Sequence, residues 1–242
     1  MITLDGYADN HFGLIPLQNH SHPINTGIQH KMIIIPGVAG AHDAGSELTV
    51  KYFDFEFAIK EQNETTAQTK LKEFVTFLCD DTGRPRDIKL IFDYEPGKYY
   101  TVKLNSIVDP ERIRGFSRFS ISFIASDPYK YSASSRVENL TGTVSNGGNC
   151  KTKGIITIEI TEPISNLNIT LQNTGEFISV THNFVIGDIV RIDLKEEMVY
   201  KNGESIMYDC VLESDFFYLP IGEFVITVSS GNAMLEFTER WL

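Results

Sequence analysis

The fold is decided by the stretch Leu48-Thr-Val-Lys-Tyr-Phe-Asp-Phe-Glu-Phe-Ala-Ile59, in which apolar and polar side chains alternate. Successive side chains of a β-strand point to opposite faces of the sheet, so this alternation predicts a strand with one buried and one wet face. The alternation changes phase at Tyr52-Phe53. A β-bulge or a bend at that point would bring both halves into one sheet.

The residues that follow this strand continue the β pattern, with one helix inserted. Glu64–Cys79 has apolar side chains at helical spacing, and Thr65 with Gln68 predicts a capping box at its start. Three further strands are predicted after the helix: Asp87–Tyr94, Lys98–Val108 and Gly115–Ala125. The first half of the chain is therefore predicted to be a β-sandwich with one flanking α-helix.

The second half of the chain contains short alternating runs and no helical pattern. The predicted strands are Ile155–Ile160, Leu167–Leu171, Phe177–Thr181, Ile189–Leu194, Met198–Lys201, Met207–Leu212, Phe224–Ser229 and Met234–Trp241. Asn202-Gly203 is typical of a tight hairpin turn. About eight short strands predict an antiparallel sandwich. The small, polar residues between Tyr131 and Asn149 favour a boundary there, giving predicted domains of residues 1–133 and 134–242.

Composition excludes several classes of protein. The 242 residues carry 21 basic and 32 acidic side chains, a formal charge of −11. Phosphate binding requires clustered cations, so sequence-specific nucleic-acid binding is not expected. No stretch reaches the roughly 18 apolar residues of a membrane span, so membrane insertion is not expected either. The three cysteines lack metal-binding spacing and indicate reduced thiols.

Two histidines are the candidate metal ligands. His20-Ser-His22 places two imidazoles on one side of an extended chain, and Asp9 or Asp43 could supply a third ligand. The alternative is a polar segment whose histidines face solvent or a neighbouring subunit. Since no HExxH or Cys/His spacing accompanies them, the sequence predicts no metal and no cofactor.

No catalytic motif is present in the sequence. There is no GxSxG elbow, no GxGxxG loop and no Walker loop. The close carboxylate pairs, Asp54 with Glu56 and Asp80 with Asp81, are typical of solvated faces or caps. We therefore expect that the protein is not an enzyme, and a hydrolase is the weakest alternative.

Aromatic side chains in the second half could bind a saccharide by stacking. The candidate contacts are Tyr200, Tyr208, Phe217 and Tyr218. Alternation along the strands would send at least half of the aromatic residues of this region into the core, which is the competing interpretation.

Three parts of the sequence together resemble a known family. They are Lys31-Met-Ile-Ile-Ile-Pro-Gly-Val-Ala-Gly40, the strand and Asp-Pro-Tyr-Lys-Tyr of residues 115–131, and a set of second-half motifs, Asn146–Asn149, Gly187–Asp193, Asn202-Gly203 and Phe237–Trp241. In order and spacing they resemble the distal tail proteins of long-tailed, non-contractile phages and related prophages. Val38 departs from the family pattern, which usually has arginine there.

This resemblance implies a structural role at the virion tail tip. The first domain would be similar to tail-tube proteins and would form a hexameric ring, from which a galectin-like second domain would project. The implied partners are tail tube protein, tape-measure protein, tail-associated lysin or fibre, and receptor-binding protein, with assembly in the bacterial host cytoplasm. The alternative function is a lectin-like adhesin that binds cell-wall saccharide through the second domain.

A ring predicts roles for particular residues. Asp54, Glu56 and Asp93 are expected to face the lumen, where negative charge would let DNA slide past. The edges of the strands within residues 48–59 and 87–108 are expected to pair between neighbouring subunits. Residues 1–30, rich in His, Asn and Pro, are expected to form an arm lying on an adjacent subunit.

Overall fold

The computed structural model describes residues 2–18, 20–113 and 115–242. The chain divides into two compact units, Met1–Lys130 and Tyr131–Trp241. It is mainly β with several antiparallel sheets and one α-helix among the described residues, which confirms the predicted fold class.

The N-terminal unit is built on one large antiparallel sheet. The strands of the unit are β1 (Ile2–Leu4), β2 (Tyr7–Ala8), β3 (Ile15–Pro16), β4 (Ile28–Ile33), β5 (His42–Leu48), β6 (Lys51–Ile59), β7 (Ile88–Phe92), β8 (Lys98–Leu104), β9 (Glu111–Ile113) and β10 (Phe116–Ala125). The order is β2-β1-β7-β8-β10-β6-β3, and β9 also pairs with β10. A 3-10 helix covers Asp9–Phe12. Strands β4 and β5 form a separate two-stranded hairpin.

Strand β6 supplies most of the aromatic core of this unit. Phe53, Phe55 and Phe57 point inward and are at most 1% exposed. Inward and outward positions alternate from Lys51 to Phe57, and Lys51 itself occupies an inward position. The prediction of one continuous strand over Leu48–Ile59, with a bulge or a bend, is wrong: Thr49 and Val50 lie between two separate strands, β5 and β6.

The helix α1 (Glu64–Leu78) begins where the sequence predicts and covers one side of this core. Its buried side chains are Ala67, Leu71, Phe74 and Leu78. The predicted capping box is wrong, because the side chain of Asn63 is the cap and accepts a hydrogen bond from the Thr65 amide at 2.9 Å.

Most of the predicted N-terminal arm is part of the folded unit. Ile2, Leu4 and Leu14 are 1%, 2% and 3% exposed, and β1 pairs with β7. Burying these apolar side chains in their own core is favoured over display on a neighbour, so the arm prediction is wrong for this part. Met1 and Asn19 of the predicted arm lie outside the described residues.

The C-terminal unit is a sandwich of two antiparallel sheets. The strands are β12 (Arg136–Asn139), β13 (Thr143–Asn146), β14 (Gly154–Glu159), β15 (Leu167–Leu171), β16 (Phe177–Val180), β17 (Ile189–Asp193), β18 (Met198–Lys201), β19 (Glu204–Ser205), β20 (Gly222–Val228), β21 (Asn232–Phe237) and β22 (Arg240–Trp241). One sheet has the order β12-β21-β14-β17-β18-β19 and the other β13-β20-β15-β16. Strand β11 (Lys130–Ser132), at the boundary of the units in sequence, pairs with β22. The predicted strand Met207–Leu212 is wrong, since Met207–Asp209 is a 3-10 helix.

One buried carboxylate organises the turn before β17. Asp188 accepts hydrogen bonds from the Val185 amide at 2.9 Å and from the Asn202 side chain at 2.8 Å, and it pairs with Lys201 at 2.9 Å. The Val185 bond first, and then the Lys201 ammonium, lower the pKa of Asp188 from 3.8 to about 2.

Asp188 is therefore expected to contribute to stability in a pH-dependent way. Because its folded-state pKa is depressed, its contribution is present above about pH 4 and is lost as pH falls from 3.8 towards 2. Replacing Asp188 with asparagine should destabilise the unit at neutral pH, and the difference from wild type should shrink at pH 2. An NMR titration of the Asp188 carboxyl carbon should give a midpoint near 2; a midpoint near 3.8 would contradict the described hydrogen bonds.

Candidate functional site

The most unusual surface of the N-terminal unit is the hairpin β4–β5. The two strands pair antiparallel, with Ile28 opposite Leu48 at the base and Ile33 opposite His42 near the tip. Every residue of both strands is exposed, and in the described part of the chain neither strand pairs with any other. The hairpin thus leaves the sheet of its own unit and has two free edges.

The hairpin, with the loop that joins its strands, carries a concentration of exposed apolar side chains. They are Ile28 (53% exposed), Met32 (63%), Ile33 (58%), Ile34 (77%), Ile35 (43%), Val38 (59%) and Leu48 (41%). Single exposed apolar residues are common on protein surfaces, but seven within 21 consecutive positions form a patch of the kind that marks an interaction site.

Few polar contacts stabilise this hairpin. An ion pair joins Lys31 and Glu47 across the strands, and Asp43 accepts a hydrogen bond from the Gly45 amide at 2.9 Å. Exposed ion pairs contribute at most about 1 kcal/mol, and an isolated two-stranded hairpin is marginally stable in water. Its exposed apolar side chains and unpaired edges make the hairpin the candidate interaction surface of this unit.

Two of the three predicted lumen residues share one sheet face. Asp54 and Glu56 lie on the outer side of β6, opposite Ser122 and Ser120 of β10. Glu56 is paired with Arg118 of the same face. Asp93 follows β7, which is separated from β6 by β8 and β10 in the sheet. The structure thus gathers two acidic side chains among small hydroxyl groups and places Asp93 elsewhere.

The prediction that β6, β7 and β8 offer paired edges to a neighbour is wrong. Strand β6 lies between β10 and β3, β7 between β1 and β8, and β8 between β7 and β10. The Ser21 amide also donates to the Asp54 carbonyl at 2.8 Å, so the chain covers this edge of β6 with its own N-terminal segment. Each strand of the hairpin β4–β5, in contrast, has one edge that pairs with no other described strand.

The two candidate metal ligands stack on each other. The rings of His20 and His22 are 5.1 Å apart at an interplanar angle of 11°, and His20 shares a hollow of about 400 Å³ with Asp54 and Glu56. Burial first, and then the charge of His20, lower the pKa of His22. Within the described residues, no group of three or more His, Cys, Asp or Glu side chains is arranged to hold a metal ion.

The four predicted saccharide contacts differ in burial and in their neighbouring side chains. Phe217 is only 2% exposed and lies in the core of the C-terminal unit, so a saccharide cannot stack on it and that prediction is corrected. The Tyr200 ring lies 5.8 Å from the Arg191 guanidinium, and the Tyr218 ring lies 4.7 Å from the Lys153 ammonium. Tyr208 is fully exposed.

A long apolar helix is absent from the part of the chain that the structure describes, so no helix there could cross a lipid bilayer.

Comparison with known families matches both units. Residues 5–125 match the phage tail protein RIFT-related domain, and residues 147–241 match the C-terminal domain of the siphovirus-type tail component. The first match covers half of the chain and includes the whole hairpin.

Similarity to individual proteins extends along most of the chain. The distal tail protein of Bacillus phage SPP1 is 23% identical over 213 residues, which cover 86% of this chain and 83% of that protein. The crystal structure of SPP1 Dit, described as a hub of the adsorption apparatus in phages that infect Gram-positive bacteria, superposes with a TM-score of 0.83 at 19% identity, over 100% of this chain and 98% of that one. A chain of the phage P2 baseplate matches with a TM-score of 0.44 at 12% identity, over 94% of this chain and 90% of that one.

Proposed function

Because this chain belongs to the distal tail protein family of siphovirus-type phages, we propose that its copies form a hexameric ring at the tip of a phage tail. The ring joins the tail tube to the host-adhesion apparatus. The role is structural and involves no catalysis.

The observation that carries this proposal is the hairpin β4–β5. Its exposed apolar side chains are present in every copy and are not covered by the other residues that the structure describes. A hairpin that docks on a different surface of the next copy makes a heterologous contact, and such contacts close into a ring when the rotation permits. Complete burial contributes about 1.5–3 kcal/mol for each side chain of this size, so several half-exposed ones could support a stable interface.

Charge supports the assignment of the ring to the N-terminal unit. Residues 1–130 carry 14 basic and 17 acidic side chains, whereas residues 131–242 carry 7 and 15. Uncompensated charge is costly to bury between subunits. The nearly neutral unit is therefore the better candidate for contacts between copies, and the acidic unit for a solvated outer surface.

The partners follow from a position at the tail tip. We propose tail tube protein and tape-measure protein on one side of the ring, and tail-associated lysin or fibre and receptor-binding protein on the other. Assembly would take place in the host cytoplasm.

We further propose that the C-terminal sandwich is galectin-like. Its fully exposed Tyr208 is the one predicted contact left open for a cell-wall saccharide without a core or cationic neighbour.

The test is the mass and image of the purified full-length protein. Light scattering after size exclusion should give six subunits, and electron microscopy should show a ring with Asp54, Glu56 and Asp93 on its inner wall. These carboxylates would line the channel and repel DNA as it passes. A monomer at micromolar concentration would contradict the ring, and a position of all three residues on the outer wall would contradict the acidic lumen.

A glycan array separates this role from that of an adhesin. The structural role predicts no saturable binding to cell-wall saccharides by the wild-type protein. Saturable binding that is lost when Tyr208 is replaced by alanine would instead support the adhesin.

A further inference from the structure

A buried lysine lies at the root of the hairpin. Lys51 is the first residue of β6, and it occupies an inward position on the strand whose next inward residues are Phe53 and Phe55. It is 2% exposed. Burying an ammonium group among aromatic rings is costly unless its hydrogens are bonded, so its contacts are informative.

The Lys51 ammonium connects three segments of the chain. It donates to the Ile24 carbonyl at 3.0 Å and to the Tyr100 hydroxyl at 3.0 Å. It also lies 4.9 Å from the Tyr100 ring centroid and 5.8 Å from that of Phe53, where the ring faces attract a cation. Among the described residues, no carboxylate lies within ion-pair distance of it.

These contacts close the base of the hairpin. Ile24 precedes β4 and Lys51 follows β5, so the bond between them joins the two chain segments that enter and leave the hairpin. A second bond, from the Thr49 amide to the Gly27 carbonyl at 2.8 Å, lies between this contact and the strands. A Cβ atom at position 27 would lie 2.4 Å from the Thr49 hydroxyl oxygen, so the Thr49 side chain would have to move to admit any residue other than glycine.

The surroundings of Lys51 disfavour its charged form, and no carboxylate pairs with it among the described residues. Burial first, and then the nearby Lys130 ammonium, lower the pKa of Lys51, while Glu95 opposes this shift. Glu95 is itself engaged by Lys130 at 2.6 Å and by Lys98 at 3.2 Å. An apolar side chain at this position would avoid the cost, so stability of the core alone does not explain a lysine here.

We propose that Lys51 is a positioning residue that fixes the hairpin β4–β5 on the N-terminal unit and so sets the direction in which it reaches a second copy of this chain. This inference rests on the proposed ring for its consequence in assembly. The anchoring itself can be measured in the single subunit.

The test compares Lys51→Met with Lys60→Met in the full-length protein. Methionine is unbranched and of similar length, so K51M keeps the packing of the stem and removes the ammonium. Lys60 directly follows the other end of β6 and is exposed, which makes K60M the matched control. Amide hydrogen exchange, thermal melting and light scattering are measured for both variants and for wild type.

We expect K51M to melt at or above the wild-type temperature, because the buried charge is gone. The bonds of the Thr49 and Ser21 amides flank the contact between Lys51 and the Ile24 carbonyl, so these amides should exchange at least tenfold faster. The hexameric ring should assemble at least tenfold more weakly. K60M should match wild type in all three measurements. Tyr100→Phe removes one hydrogen-bond acceptor of Lys51 and keeps the aromatic side chain, so it should show the same pattern at smaller amplitude. It replaces K51M if that variant does not fold.

Unchanged exchange of these amides in K51M, or a fall in melting temperature with faster exchange throughout the unit, would overturn the positioning role. If the wild-type protein forms no ring, the proposed function fails, while the exchange data still decide whether Lys51 anchors the hairpin.

Discussion

Replacing Met32 and Ile34 together with glutamate is expected to abolish ring assembly and to leave the folded subunit intact. The two side chains are 63% and 77% exposed in the single chain, so glutamate side chains at these positions would be solvated. Each substitution should therefore change the free energy of unfolding by no more than about 0.5 kcal/mol. In an assembled ring they would be buried against a neighbour. A buried charge without a partner costs about 3–5 kcal/mol.

The expected size of the effect follows from these numbers. One such charge would weaken each contact between subunits by at least 100-fold, since about 1.4 kcal/mol corresponds to a factor of ten in the dissociation constant. The contact recurs around the ring, so the variant should elute as a monomer at concentrations where wild type is hexameric. Size exclusion with light scattering measures this, and circular dichroism verifies the fold.

The control is Ile107→Glu in the same unit. Ile107 is 89% exposed and lies between β8 and β9, outside the hairpin. The Ile107→Glu variant also replaces a highly exposed apolar side chain with a charge, and it should still assemble. A hexamer of unchanged stability in the Met32/Ile34 variant would show that the hairpin is not the interface. Loss of assembly in both variants would point to a general effect of added negative charge.

The hairpin illustrates what the sequence could and could not predict. Met32–Ile35 is an apolar run of the kind found in fully buried strands, and such a run indicates burial without identifying the partner. The structure shows that the run is exposed in the single chain. A pattern of hydrophobicity cannot distinguish burial in the same subunit from burial against another one, so the sequence alone does not identify this hairpin as an exposed surface.

Local patterns were predicted well where one side of an element faces its own core. The helix α1, with Ala67, Leu71 and Phe74 inward, and β10 were both confirmed from their spacing. Lys51 could not be predicted in the same way, because a lysine at the start of a strand is normally assigned to the wet face. Its inward position depends on the Ile24 carbonyl and Tyr100, which are distant in sequence.

The second large effect is expected at the centre of the N-terminal core, where Phe57→Ala should destabilise the unit by about 3–5 kcal/mol. Phe57 is fully buried, and its ring lies 6.0 Å from that of Phe119 and 6.5 Å from that of Phe74 on α1. It therefore joins two strands and the helix. Removing it leaves a cavity that these rigid elements can fill only partly.

A loss of this size is a large part of the roughly 5–15 kcal/mol that stabilises a typical domain. Urea unfolding followed by circular dichroism should show it as a lower midpoint. The matched control is Tyr52→Ala on the outer face of the same strand, where the side chain is 47% exposed and the expected loss is at most about 1 kcal/mol. A loss below 1 kcal/mol for Phe57→Ala would mean that α1 does not pack on β6 as described.

The two large effects should separate folding from assembly. Phe57 lies in the core of the unit and the hairpin lies outside it, so the fraction of Phe57→Ala protein that remains folded keeps an unaltered hairpin. That fraction should still form hexamers under conditions where the Met32/Ile34 variant, although more stable, remains monomeric. If Phe57→Ala instead lost assembly while fully folded, the contacts between subunits would depend on the sheet and helix themselves, and the hairpin would not be sufficient for the ring.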